Sequence, residues 1–168
     1  MILSELFADD LAVLAGRLEV AARRRLGRSL ALRHVDAGSC NGCELEIHAL
    51  NNAFYDLERF GLRFVASPRH ADGLVVTGPV SRNMEAALRS TYDALAPPRI
   101  VIAVGAQAIS GGIFRGDPEV RDGVSKLLPV DLYIPGNPPH PLTILDGLMR
   151  LMDRLNQRPR GPGGTAPA

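Results

Sequence analysis

The chain has 168 residues, 46% of them hydrophobic and 22% charged, with a formal net charge of +1. This size and composition predict one domain with its own core and exclude a nucleic-acid binder held by bulk charge. No apolar run reaches the roughly eighteen residues of a membrane span, and the start lacks the basic region of a signal peptide. Two cysteines without an export signal favour a reducing cytoplasm.

An amphipathic helix is predicted at the N-terminus, roughly from Leu3 to Arg25. Five apolar residues recur three or four positions apart and so share one helical stripe: Leu3, Phe7, Leu11, Leu14 and Leu18. The segment ends in three arginines, which suit the dipole at a helix C-terminus. It is either a solvated, well-terminated helix or a helix that lies on a partner or a membrane surface. In the second case the stripe is the partner-binding surface.

From Leu30 onward, apolar strands alternate with helical segments. The predicted strands are Ala31–Val35, Gly73–Thr77, Arg99–Val104 and Val130–Ile134, with a further candidate at Leu62–Val65. The predicted helices are Glu44–Phe60, Arg82–Leu95, a weaker Pro118–Leu127 and Leu142–Leu155. This alternation predicts an α/β fold of three layers, in which helices cover both faces of a mostly parallel sheet of about four strands.

Composition divides the chain into three parts. Residues 1–29 hold the helix and a basic linker, and residues 30–157 hold the α/β domain. Residues 158–168 are Pro, Gly, Ala and Thr with two arginines. This last part has too little apolar surface to offset its ordering entropy, so it is predicted to be disordered.

Ligands of open parallel sheets bind beyond the carboxyl ends of the strands. Four loops rich in Gly, Pro and small polar residues follow the predicted strands there: Asp36–Cys43, Gly78–Arg82, Gly105–Gly112 and Pro135–Pro141. The first loop holds both cysteines, Cys40 and Cys43, in a C-x-x-C arrangement. That spacing alone indicates a redox dithiol, half of a zinc site or half of an iron–sulfur site.

The same loops contain four motifs that occur together in one known family. They are Cys40-Asn41-Gly42-Cys43-Glu44, Thr77-Gly78-Pro79-Val80-Ser81-Arg82-Asn83-Met84, Gly105-Ala106-Gln107-Ala108-Ile109-Ser110-Gly111-Gly112 and Ile134-Pro135-Gly136-Asn137-Pro138-Pro139-His140-Pro141. In order and in sequence they resemble the small subunit of energy-converting membrane-bound [NiFe] hydrogenases and the homologous, PSST-like B subunit of complex I. The resemblance covers about Ala31 to Leu155.

That resemblance implies a flavodoxin-like fold and one [4Fe–4S] cluster. It also implies a large partner subunit and neighbouring membrane-arm subunits, which would hold the chain peripherally on the cytoplasmic face of the inner or plasma membrane. The chain itself would be a non-catalytic or electron-transfer subunit of an oxidoreductase complex, with no transmembrane segment and no nucleic-acid partner.

The sequence departs from the family at the cluster ligands. Cys40 and Cys43 match two of the family's four cysteines, but Gln107 and Asn137 stand where the other two belong. A [4Fe–4S] cube normally takes one thiolate per iron, and neutral amide oxygens are poor donors to soft iron–sulfide centres. Two hypotheses follow: a docking subunit with a degenerate site, or an electron-transfer subunit whose cluster has non-cysteine ligands.

Other residues near the cysteines have a functional and an ordinary interpretation. His48 and His140 are either replacement ligands or surface or core histidines. Asp36 and Glu44 either carry protons or bond loop amides, and a carboxylate at Glu44 also suits the start of a helix.

The remaining loop residues line the same site. By resemblance, Arg82 and Asn83 contact the cluster region or the large subunit, whereas their ordinary role is helix capping and loop closure. Gly105, Gly136 and Pro138 flank the substituted positions. The glycine-rich loop is also a weak candidate for a flavin- or nucleotide-binding loop, because it lacks a complete phosphate-binding motif. A thioredoxin-type dithiol is weaker still.

Overall fold

The computed structural model describes residues 12–13, 16–17, 19–24 and 29–157, with only the backbone described at residues 59 and 60. The five leucine and phenylalanine residues of the predicted stripe lie outside these ranges, as does the predicted disordered tail. Among the helices of the described ranges, none combines the length and hydropathy needed to cross a bilayer.

Five parallel strands form the sheet, one more than the approximate prediction of four. They are β1 (Leu30–Asp36), β2 (Leu62–Phe64), β3 (Gly73–Thr77), β4 (Ile100–Val104) and β5 (Leu132–Ile134), in the order β2-β1-β3-β4-β5. The strands β3 and β4 are buried along their whole length, as expected for the centre of a sheet covered on both faces. The edge strands β2 and β5 have only three residues each, which limits the exposed pairing edge.

Within residues 29–157, four α-helices pack around the sheet: α1 (Gly42–Ala49), α2 (Arg82–Asp93), α3 (Gly105–Ser110) and α4 (Pro141–Gln157). Two separate apolar clusters form, one on each face. The first joins α1 and α4 to one set of alternating strand residues, and the second joins α2 to the other set. The predicted three-layer α/β fold is therefore confirmed.

The helix predicted over Glu44–Phe60 is wrong beyond Ala49. The side-chain oxygen of Asn52 accepts hydrogen bonds from the backbone N–H groups of Phe54 and Tyr55 at 2.9 and 3.0 Å, which gives the chain a local alternative to helix. Leu50 and Leu57 remain buried on the core side, whereas Phe54 is exposed.

Two other expectations also change. No α-helix forms over Pro118–Leu127, where the only helical piece is a short 3₁₀ turn at Val124–Lys126. The predicted loop Gly105–Gly112 begins instead with the short helix α3. Six residues that begin with Gly105 and are followed by Gly111 show too little periodicity for a helix to be recognised from sequence.

The helical residues before β1 contact the α/β domain at one end. Ala21 and Ala22 are buried in the cluster that contains α1 and α4. The side-chain N–H of Asn156, near the end of α4, donates to the carbonyl of Ala21 at 2.9 Å. The N-terminal helix is therefore held against the domain at this end.

Candidate functional site

The loop after β1 is organised by the carboxylate of Asp36. Its Oδ1 accepts hydrogen bonds from the N–H groups of Gly38 and Ser39 at 2.9 and 2.8 Å. The hydroxyl of Ser39 then accepts from the N–H of Asn41 at 3.0 Å, and Asn41 adopts a left-handed φ of 68° immediately before α1. Of its two predicted roles, Asp36 therefore performs the bonding of loop amides.

The two cysteines differ in environment. Cys40 is exposed, whereas Cys43, in the first turn of α1, is 8% exposed. Burial raises the pKa of Cys43 to about 11, and the negative charges of Glu44, Cys40 and Glu46 act in the same direction.

Gly105, the first residue of α3, allows the loop after β4 to approach Cys43 closely. Its φ is +89°, and a Cβ at this position would collide with the Cys43 sulfur. Only glycine satisfies both constraints without strain. The sulfur of Cys43 therefore lies directly against the backbone of the loop that contains Gln107.

The loop after β5 completes the arrangement. The N–H of Ala106 donates to the carbonyl of Gly136 at 2.8 Å, which joins the loops after β4 and β5. A Cβ on Gly42 would lie 3.8 Å from both the Cys40 sulfur and the Cδ of Pro138. Backbone contacts thus bring together the loops that contain the cysteines, Gln107 and Asn137.

These residues do not fit a conventional four-thiolate cluster. Gln107 is buried and Asn137 is exposed, and each offers an amide in place of a thiolate. Among the described residues, no group of three or more His, Cys, Asp and Glu side chains could hold a metal ion. The three loops meet as they would around a cluster, but they supply only two thiols, Cys40 and Cys43.

A buried polar cluster lies beside Cys43 on the α1 face of the sheet. Glu44 is 4% exposed, and neither of its carboxylate oxygens has a hydrogen-bond partner within the described ranges. The nearest cation candidate is the Nε2 of His34 on β1, 3.8 Å from Glu44 Oε1. The same nitrogen lies 3.1 Å from the hydroxyl of Thr77 at the end of β3.

His34 is itself affected by this burial. Burial lowers the pKa of His34, against the opposing effects of Glu44 and Asp36, while His48 and Arg33 lower it further. His34 and Thr77 were not recognised as site residues from sequence. The alternation of side chains along β1 could have indicated His34. Leu30 and Leu32 point into the core, and His34 lies two residues further on the same face of the strand.

The other two candidate histidines do not join the cysteines. His48 is exposed and lines a cavity of about 440 Å³ together with His34, Asp36 and Phe64. His140 is exposed at the start of α4, where its Nδ1 accepts a hydrogen bond from the N–H of Leu142 at 3.2 Å. These positions match the ordinary interpretation of both residues.

Arg82 and Asn83 are exposed at the start of α2. The N–H of Arg82 donates to the carbonyl of Glu119 at 2.9 Å, and the neighbouring Ser81 forms an antiparallel bridge with Val120. This backbone pairing closes the loop after β3 and leaves both side chains on the surface.

Comparison with known proteins identifies the family. A family model described as the 20 kDa subunit of NADH ubiquinone oxidoreductase matches residues 40–151. The chain belongs to this family. The resemblance predicted from the four loop motifs is thus confirmed, and the chain is of the subunit type found in complex-I-like oxidoreductases.

Relatives in this family include hydrogenase subunits. The chain is 42% identical over 136 residues to the probable membrane-bound hydrogenase subunit mbhJ of Pyrococcus furiosus, covering 81% of each chain. It is 42% identical to formate hydrogenlyase subunit 7 of Escherichia coli, covering 87% of this chain and 58% of that one. It is 50% identical to the B subunit of the NADH-quinone oxidoreductase of Flavobacterium psychrophilum, covering 70% and 64%.

Solved structures support the same placement. A chain of the archaeal membrane-bound sulfane sulfur reductase, a respiratory membrane complex, is 34% identical with a TM-score of 0.68, covering 80% of this chain and 73% of that chain. A chain of an NAD⁺-reducing [NiFe]-hydrogenase shares the fold at 22% identity and a TM-score of 0.60, covering 81% and 97%.

Proposed function

We propose that this chain is a docking subunit of a membrane-associated hydrogenase-like or complex-I-like redox assembly, and that its iron–sulfur site is degenerate. The observation that supports this most directly is a mismatch between backbone and side chains. Three ligand loops are held together by close contacts and a hydrogen bond, yet two of the four ligand positions carry amides.

Preserved loops without preserved ligands are expected if the loops serve an interface. Interfaces depend on backbone shape and apolar contact, which can be kept when a ligand thiol is replaced by an amide. A cluster depends on the soft donors themselves, so losing half of them removes most of its binding energy.

Exposed apolar residues near the same edge support the docking role. Ile113, directly after the Gly112 that packs on Gln107, is 83% exposed, and Phe114 beside it is also exposed. Leu45 on α1 is exposed two residues after Cys43. Apolar side chains around a set of ordered loops are typical of a surface that a partner covers.

By family relationship, we infer that a large hydrogenase-like or complex-I-like subunit covers this edge. The Pyrococcus furiosus relative is named as membrane-bound and the sulfane sulfur reductase is a respiratory membrane complex, which supports a peripheral position at the membrane. The cytoplasmic face follows from the same inference, as does a contribution of the stripe from Leu3 to Leu18 to partner binding.

Metal content is the first test. Protein purified without oxygen is expected to contain well under the four iron and four sulfide atoms of a full cluster, and to lack its reduced-state EPR signal. The double variant Gln107→Cys, Asn137→Cys is the matched gain-of-ligand control, because the loop backbones already approach each other. A full cluster in the unmodified chain would overturn the degenerate-site proposal and favour an electron-transfer subunit with non-cysteine ligands.

Docking is tested separately in the native assembly. The variant Ile113→Glu is expected to reduce, at least about tenfold, the amount of large subunit that co-purifies, since it places a charge in an apolar contact. The double variant Cys40→Ser, Cys43→Ser is expected to leave co-purification nearly unchanged. Loss of assembly in the serine variant alone would show that a bound cluster, and not the loop surface, holds the partner.

A further inference from the structure

The N-terminal helical residues expose a face that combines apolar and basic side chains. Val13 is 61% exposed and Val20 is 69% exposed. Arg17 and Arg24 are also exposed, and successive spacings of four, three and four residues place all four on one side of a helix. We refer to these four residues as the basic face: Val13, Arg17, Val20 and Arg24.

Ala22, on the opposite side of this helix, packs on the domain. Ala21 borders the basic face, which lines a groove together with Asp153, Asn156 and Gln157 at the end of α4. Ala22 is fully buried in the core and Ala21 nearly so, and the Asn156 amide bonds the Ala21 carbonyl. Because these contacts fix one side, the helix cannot turn the valines inward without losing them. Val13 and Val20 therefore remain exposed along one wall of this groove.

Positive charge extends beyond the four residues. Arg23 is exposed beside the basic face and pairs with Glu19 at 2.8 Å, and Arg25 and Arg28 follow in the sequence. Arg17 lies 3.7 Å from Asp153, but both side chains are about half exposed, so this pair is weak and leaves Arg17 available to other anions.

We propose that the basic face lies on the surface of an anionic phospholipid bilayer, with the valines at the headgroup boundary and the arginines on lipid phosphates. Helices with a basic and an apolar character bind such surfaces in the plane of the membrane. The arginines supply the positive charge that complements anionic lipid, and the exposed valines supply the apolar contact. The inference goes beyond the docking function and does not depend on the metal content.

Lipid binding is measured with the full chain and vesicles of two compositions. One is phosphatidylcholine alone, and the other contains roughly one-third phosphatidylglycerol, which supplies the anionic charge. Flotation at low ionic strength is expected to recover the chain with the anionic vesicles only. Binding is expected to weaken at about 0.15 M salt, because exposed charges are screened there.

Two double variants separate the basic face from overall charge. Arg17→Gln with Arg24→Gln is expected to lower vesicle partitioning about 25-fold, since each basic residue near an anionic surface contributes about fivefold. Arg69→Gln with Arg115→Gln removes the same charge from exposed positions on other loops and is expected to change partitioning by less than about twofold. Val13→Ser with Val20→Ser is expected to lower it as well, through lost apolar contact.

Several results would overturn the proposal. These are equal recovery with both vesicle types, no recovery with anionic vesicles, or equal losses in the two arginine double variants. Co-purification with the native assembly that depends on Val13 and Val20 while vesicles are ignored would assign the face to a protein partner instead. Unchanged melting temperatures are expected for all three double variants, because the substituted side chains are exposed.

Discussion

The carboxyl edge of the sheet has two halves that differ in what they retain. The loop after β1 leads to both thiols, and the sulfur of Cys43 lies against Gly105 in the loop after β4. The loops after β4 and β5 keep their mutual hydrogen bond and their glycines but carry Gln107 and Asn137. This chain therefore keeps the loop contacts of a cluster site without keeping all of its thiol ligands.

The difference shows which interactions hold the site in place. Asp36 bonds its own loop, Gly105 accommodates Cys43, and the Gly136 carbonyl receives the Ala106 N–H. None of these contacts requires a metal ion. Each contact is made between groups of the protein itself, so substitutions can address the two halves separately.

The largest expected effect comes from Gly105→Ala, which should destabilise the protein by about 3 kcal/mol or more. The new Cβ would combine a left-handed backbone angle with a collision against the Cys43 sulfur. Gly116→Ala is the matched control, because its φ is similarly +84° but no heavy atom lies within 4 Å of a Cβ there. It should cost only about 1 kcal/mol.

Denaturant unfolding measures both variants, and Cys43→Ala tests the contact. If the sulfur is the obstacle, the cost of Gly105→Ala should fall towards that of Gly116→Ala when Cys43 is already alanine. Equal costs for the two glycine variants in the unmodified chain would mean that the two halves of the edge are not in contact.

The next effect is a difference in thiol reactivity within the cysteine half. With its pKa raised to about 11, Cys43 has about 100-fold less thiolate than an ordinary cysteine with the reference pKa of 9.0. Alkylation of metal-free protein near neutral pH, followed by mass spectrometry, should therefore modify the exposed Cys40 much faster than the buried Cys43. The single variants Cys40→Ser and Cys43→Ser assign each rate, and equal rates would show that Cys43 is not buried in solution.

Much of this edge was predictable because its signals are local. Buried strands such as β3 and β4 appear as short apolar runs, and in a parallel sheet the loops after them must share one edge. The glycines and prolines of those loops then identified the family. What the sequence concealed depends on contacts between distant segments, such as the approach of Cys43 to Gly105.

Errors in the prediction have specific causes. Leu50, Phe54 and Leu57 have helical spacing, but the Asn52 side chain offers its neighbours competing hydrogen bonds, so α1 stops at Ala49. The pairing of His34 with Glu44 was missed because ten residues and a loop separate them in the chain, and only the strand–helix packing brings them together.

A smaller effect is expected from the buried Glu44 carboxylate beside the cysteine half, whose oxygens accept no hydrogen bond within the described ranges. Glu44→Met should stabilise the protein by about 1–2 kcal/mol, because it replaces a buried carboxylate without hydrogen bonds by an apolar side chain of similar length. Glu58→Met, at an exposed position, should change stability by no more than about 0.5 kcal/mol. A clear destabilisation by Glu44→Met would show that the carboxylate has a binding partner in solution.

The smallest effect is a pH dependence that originates at His34. Its pKa is lowered in the folded protein, so the unfolded chain binds more protons between the folded pKa and the ordinary value of about 6.5. This contribution to stability is therefore fully present above about pH 6.5 and decreases as the pH falls through that window. His34→Gln should remove this component, whereas His70→Gln, at an exposed position, should preserve it.

The Glu44 carboxylate next to His34 affects the same pH dependence. Glu44 is the strongest influence that opposes the lowering of the His34 pKa. In the Glu44→Met background that opposition is lost, so the pKa of His34 should fall further and the loss of stability at low pH should become larger. Urea midpoints for both backgrounds, measured between about pH 5 and 7.5, provide the comparison. An unchanged pH dependence in Glu44→Met would mean that the two side chains do not interact across the α1–β1 contact.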